Sequence, residues 1–264
     1  MSLARGLKAH LRVLAIHGVT LRVVTLRPQT HARLSTNYFH DTWHILGGPA
    51  GAIVLGRLVW GLAFQRQPGT LVLIEPPHVV PTPFEADPPD PILLVPDAIT
   101  HVDDDLLRAL RLRLRRSPPQ PTTIRWHTFG MIAALAAAPP HRRRWRREPG
   151  ATRERISRRA GYLCYTAPPA ILRSTGLGIY QMHEHTFGNY LPFAETDLTS
   201  RWHHDGEFQL IPGFDDSVSG AIVARRELLG DRPLLADDHE RHAVWNRTHD
   251  ATGRLRDARK RPAP

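Results

Sequence analysis

The stretch from Ile45 to Phe64 limits what this chain can become, because every residue in it except Arg57 is apolar or glycine. A helix over Ala50 to Phe64 has no polar side to offer water, so protein or lipid must cover it all round. About 20 such residues would span a bilayer. Arg57 at mid-span would cost roughly 2.5 to 3.5 kcal/mol there, and the start Gly47-Gly48-Pro49-Ala50-Gly51 suits a loop-to-helix junction. Burial inside a protein core is therefore expected, with no membrane partner. A chain of 264 residues with 41% apolar content can supply such a core.

The flanking segments supply its cover. Leu11 to Arg27 alternates in places and contains Gly18, which predicts a hairpin, with an N-terminal helix as the alternative. Tyr38 to Leu46 reads as a strand running into the glycine-rich turn, and Thr70 to Ile74 as a strand covered on both faces, which together make a β-α-β unit. Glu75 to Pro91 holds seven prolines and predicts an irregular excursion whose length hints at function. After the strand Ile92 to Val95, Thr100 and Asp103 make a capping-box-like start. Val102, Leu106, Leu110 and Leu114 then share one helical face, and Pro118-Pro119 stops that helix. Thr122 to Phe129 reads as a strand and Met131 to Ala138 as a helix.

Nine arginines between His141 and Arg159 mark a linker. Beyond it come a strand at Tyr162 to Thr166, a short helix from Pro168 to Thr175 closed by Gly176, and a strand from Ile179 to Phe187. A strand at Glu207 to Ile211 and a helix from Asp215 or Asp216 to Leu229 follow. The expected fold class is α/β, with a Rossmann-like, mostly parallel sheet in the first half and a smaller α+β second half. The expected divisions are 1–140, a linker at 141–159, 160–250 and a disordered tail at 251–264, with no internal repeat.

Composition removes several chemistries. Lys8 and Lys260 are the only lysines, so neither a phosphate-binding loop ending in Lys-Ser/Thr nor a Schiff-base enzyme finds its residue. The single Cys164 rules out an internal disulfide and is expected as a small buried apolar residue in a cytoplasmic protein. Arg5, Lys8, His10 and Arg12 interrupt any apolar run at the start, so no signal peptide or lipid anchor is expected. Neither a nucleophile elbow nor a helical metalloprotease motif is present, and the catalytic residues, if any, are unassigned.

Three constellations remain. The string from His44 to Gly51 resembles the flavin- and nicotinamide-binding fingerprint G-x-G-x-x-G, with Leu46 where the first glycine stands. That resemblance implies NAD or FAD as cofactor, held by Gly47, Gly48 and Gly51, with Glu75 as the acid that takes the ribose. A tight turn with close helix-sheet packing and no ligand is the alternative. Secondly, His183 and His185 would share a strand face, with His203, His204 and Asp205 near by, but two ligands make no metal site and none is expected. Thirdly, Arg142, Arg143, Arg144, Arg146 and Arg147 flank Trp145, a pattern able to contact a polyanion. The function expected is nucleotide or dinucleotide binding of an oxidoreductase kind. The alternative is a non-enzymatic protein that meets nucleic acid or a protein partner through its arginines.

Overall fold

The computed structural model describes residues 6–116, 120–137, 154–184, 189–195, 204–230, 232 and 238–260. The chain begins with an antiparallel hairpin, β1 (Leu7–Ile16) and β2 (Val19–Leu26), turned by His17 and Gly18 at positive φ. A second hairpin, β3 (Leu34–Phe39) and β4 (Thr42–Gly47), turns through His40 and Asp41, both left-handed as a tight two-residue turn requires. Where alternation suggests one strand over Tyr38 to Leu46, these two residues reverse the chain. Then come α1 (Pro49–Leu62), β5 (Thr70–Ile74), β6 (Ile92–Pro96), α2 (Asp104–Arg116), β7 (Thr122–Trp126) and α3 (Met131–Ala137). A third hairpin, β8 (Arg155–Arg159) and β9 (Tyr162–Ala167), leads into α4 (Pro169–Gln181) and a 3₁₀ turn at Met182–Glu184. The chain continues through β10 (Asn189–Glu195), β11 (His204–Leu210), α5 (Phe214–Leu229) and α6 (Asp238–Lys260).

The α/β class holds, but the sheets are mixed rather than Rossmann-like. The larger has the order β7-β1-β2-β5-β6-β9-β8 and the smaller β10-β11-β4-β3. In the larger sheet only β2–β5 and β6–β9 run parallel. The reason lies in the connections: the Pro-rich excursion returns the chain without a crossover helix, so β5 and β6 pair antiparallel. Likewise β4 and β5, on either side of α1, lie in different sheets and form no β-α-β unit. Strands from either side of the expected linker share both sheets: β8 and β9 complete the larger sheet beside β6, while β4 pairs with β11 in the smaller one. β8 occupies part of the expected linker, and α6 runs through residues 251–260 of the expected tail.

Five layers result. On one face of the larger sheet Leu14, Leu21, Val23, Leu71 and Leu93 pack beneath Leu106, Leu107 and Leu110 of α2. Asp103 caps that helix, its Oδ1 accepting the Leu106 amide at 2.7 Å, whereas the Thr100 hydroxyl donates to the Thr70 carbonyl at 2.7 Å. On the other face α1 and α4 lie between the two sheets, so Leu55, Leu58 and Leu62 meet Val72 and Leu94 as well as Ile45 and Phe208. This sandwiching explains why the Ile45–Phe64 stretch is apolar all round. The outer face of the smaller sheet presents Leu46 to Phe214 and Val218 of α5, against which α6 packs.

A repeat that the sequence conceals organises these layers. The succession β3-β4-α1-β5-β6-α2 recurs as β8-β9-α4-β10-β11-α5, and its first three elements superpose in number 120 positions apart, Pro49 on Pro169 and Gly56 on Gly176. Each succession lends its first hairpin to the other's sheet, since β3–β4 joins β10–β11 while β8–β9 joins β5–β6. Both assemblies share one pattern of antiparallel, parallel and antiparallel pairs. The central helices cross at their glycines. A Cβ on Gly56 would come within 2.7 Å of the Gly176 carbonyl oxygen, and one on Gly176 within 2.6 Å of the Trp60 amide nitrogen.

Candidate functional site

The glycine-rich turn is filled by its own neighbours. A Cβ on Gly47 would lie 2.8 Å from Leu34 Cδ2, one on Gly51 2.8 Å from the Arg33 carbonyl oxygen, and one on Gly48 3.2 Å from Phe214 Cβ. The Gly47 carbonyl accepts the Ile211 amide at 2.9 Å, and Pro49 has no amide to present. These glycines let β3 and the start of α5 close on the junction of strand and helix. The matching junction before α4, Ala167-Pro168-Pro169, makes the same connection without glycine. Glu75 does not join the turn: it follows β5 in the larger sheet, on the face opposite α1.

What surrounds Glu75 is a basic surface. Strand alternation places Lys8, His10 and Arg12 of β1 on the face that carries Leu14 and Ile16, and Thr25 and Arg27 with Val23 of β2. Arg125 of β7 stands opposite Lys8, and Thr123 opposite His10. The α2 helix covers the Leu14 end of this face, while Lys8 and Arg125 are exposed and His10, Arg12 and Arg27 half-buried. Burial, then the charges of Arg12 and Arg27, hold the His10 imidazole below its usual range. Burial also pushes the Glu75 carboxyl above its usual range, against the pull of Arg12.

The guanidiniums are incompletely matched. Arg12 Nη1 donates to the Thr25 hydroxyl at 3.2 Å, but the buried Nε of Arg12 and that of Arg27 find no hydrogen-bond partner among the described residues. A buried N–H without an acceptor is costly and uncommon in folded proteins. At the far side of the same face Arg111 lies 5.9 Å from the centre of the Tyr162 ring, whose hydroxyl burial pushes up to about 12. The period-two run Lys8, His10, Arg12 was the signal available in the sequence; Arg27 and Arg125 join it only through pairing.

The other residues singled out in sequence fall apart. His183 lies in the 3₁₀ turn rather than on a strand, its Nδ1 against the Tyr180 carbonyl, and His185 and His203 lie outside the described residues. Among the described residues no group of three His, Cys, Asp or Glu could hold a metal. Arg142, Arg143, Arg144, Arg146 and Arg147 also lie outside the described residues. Cys164 is buried, and burial pushes its thiol up to about 12, so it is no ready nucleophile. Among the described residues no helix is long and apolar enough to cross a membrane.

Comparison with protein families, with curated proteins and with solved structures finds no match to this chain. The functional reading therefore rests on the geometry alone.

Proposed function

We propose that this is a nucleic-acid-binding protein that engages the phosphate backbone through the face formed by β7, β1 and β2. The observation that carries the reading is the cluster of basic side chains on one strand face, Lys8 and Arg125 exposed and Arg12 and Arg27 half-buried beside them. Phosphate oxygens are acceptors of the right charge for such donors, and arginine takes them in a fixed fork. A formal charge of +10 adds long-range attraction to any polyanion, to which the arginines of the 141–159 segment contribute. The dinucleotide reading draws no comparable support, since Glu75 and the glycine-rich turn face different spaces.

The test is binding to a short DNA or RNA at a series of salt concentrations. Wild-type affinity should fall steeply with salt, with a slope in log–log form of roughly 0.7 to 0.9 per phosphate contacted. Replacing both Lys8 and Arg125, which are exposed, by Glu should weaken binding about tenfold or more and flatten the slope by one to two contacts. Equal affinity and slope in that variant would refute the assignment of this face. A companion variant with Arg142, Arg143, Arg144, Arg146 and Arg147 changed to Gln separates the two arginine-bearing regions.

A further inference from the structure

A cleft of about 770 Å³ lies between the tip of the β3–β4 hairpin, the end of the Pro-rich excursion and α6. Four aromatic rings line it: Tyr38, Phe39 and Trp43 from the hairpin and Trp245 from the helix. Tyr38 and Phe39 are each 52% exposed and Trp245 40%, a cluster of apolar ring surface left open to solvent. Two of the rings are held in place, Tyr38 against Trp43 with centroids 4.6 Å apart and Trp245 stacked on Phe84 at 5.4 Å.

The charged groups around the cleft are paired with one another. Arg225 and Arg241 each hold one oxygen of Asp87 at 3.0 Å. Arg158 grips Asp90 with Nε at 2.7 Å and Nη2 at 3.1 Å, and the Asp90 amide donates to the Thr36 hydroxyl at 2.8 Å. Glu85 is the third carboxyl and the most buried; its burial, and then the neighbouring Asp87, favour its neutral form. Each of the three guanidiniums is engaged with Asp87 or Asp90, and Glu85 favours its neutral form, so no charge stands free for an ionic ligand. An ammonium would suit the rings alone, but Asp87 and Asp90 are already claimed by arginines, and an anion would meet those two carboxylates.

We propose that this cleft is a binding site for a neutral carbohydrate, its sugar rings laid on Tyr38 and Trp245 and its hydroxyls bonded to Asn37, Glu85 and His242. A sugar combines flat patches of C–H with a rim of uncharged donors and acceptors, which matches rigid aromatic walls edged by polar groups. The volume falls among those of small-molecule sites and has room for a disaccharide. The site is separate from the basic strand face and stands without it.

Maltose, cellobiose and N,N′-diacetylchitobiose are titrated into the full chain while tryptophan fluorescence is followed, with choline and AMP as charged comparisons. At least one disaccharide should give a saturable change, and Tyr38→Ala should weaken it about tenfold with thermal stability unchanged, the scale of a single ring contact. Trp245→Ala should abolish the change, and Tyr38→Ala guards against Trp245→Ala acting through its packing on Phe84. The proposal is overturned if no disaccharide saturates the signal, if only choline or AMP does, or if both variants bind as the wild type.

Discussion

Glu85 occupies a place where a carboxylate is costly, buried beside Asp87 at the floor of the cleft. Its folded pKa lies above the ordinary 4.5, so the folded state holds its proton more tightly than the unfolded chain. Below pH 4.5 the carboxyl is protonated in both states; as pH rises through the folded value, ionisation is disfavoured in the fold and stability is lost. Glu85→Gln should therefore raise the melting temperature at pH 7, with the gain disappearing in acid, as thermal unfolding by circular dichroism across pH would measure. A lower melting temperature for the variant at pH 7 would contradict this. At this scale the sequence is uneven in what it discloses. Cys164 between Leu163 and Tyr165 announces a buried thiol, but nothing local marks Glu85, whose surroundings come from α5, α6 and a distant hairpin. Only the seven prolines around it, which forbid regular structure, hinted that the excursion had a purpose.

Among the elements, the pair α1 and α4 decides how closely the two sheets approach. Gly176→Ala would drive a methyl to 2.6 Å from the Trp60 backbone nitrogen, which cannot move aside as a side-chain end could. Overpacking of this kind typically costs about 1 to 3 kcal/mol, so urea unfolding should show a clear loss of stability. Gly253 in α6 supplies the opposite case, since a Cβ there meets nothing within 4 Å. Gly253→Ala should stabilise by roughly 0.5 to 1 kcal/mol through helix propensity alone. If the two substitutions shift stability alike, the crossing is not as tight as described. The run after Ile45 made α1 legible, since it could be nothing but buried helix. For α4 the sequence misleads: Gly176 reads as a helix end and Ile179 to Phe187 as a strand, yet the helix continues to Gln181. The glycine is there to admit α1, a reason that only a partner about 120 residues away supplies.

For the molecule as a whole, strand positions were readable from apolar runs and turn residues, but their partners were not. Pairing β4 with β11, or β6 with β9, depends on contacts between distant segments that no local pattern encodes. The repeat is hidden in the sequence for a related reason: packing keeps Pro49 and Gly56 in register with Pro169 and Gly176, while most other aligned positions differ, such as Arg57 and Leu177. Because each sheet takes a hairpin from the other half, fragments 1–145 and 146–264 should each fail to unfold cooperatively alone. Co-expressed, they should regain a single transition, because the missing strands are then supplied. A cooperative transition in either fragment by itself would show that its sheet does not need the borrowed hairpin.

That exchange of hairpins stitches the halves together like two hands with interlocked fingers. Among the described residues, to pull one half from the other is to break strand pairs in both sheets at once rather than to stretch a tether.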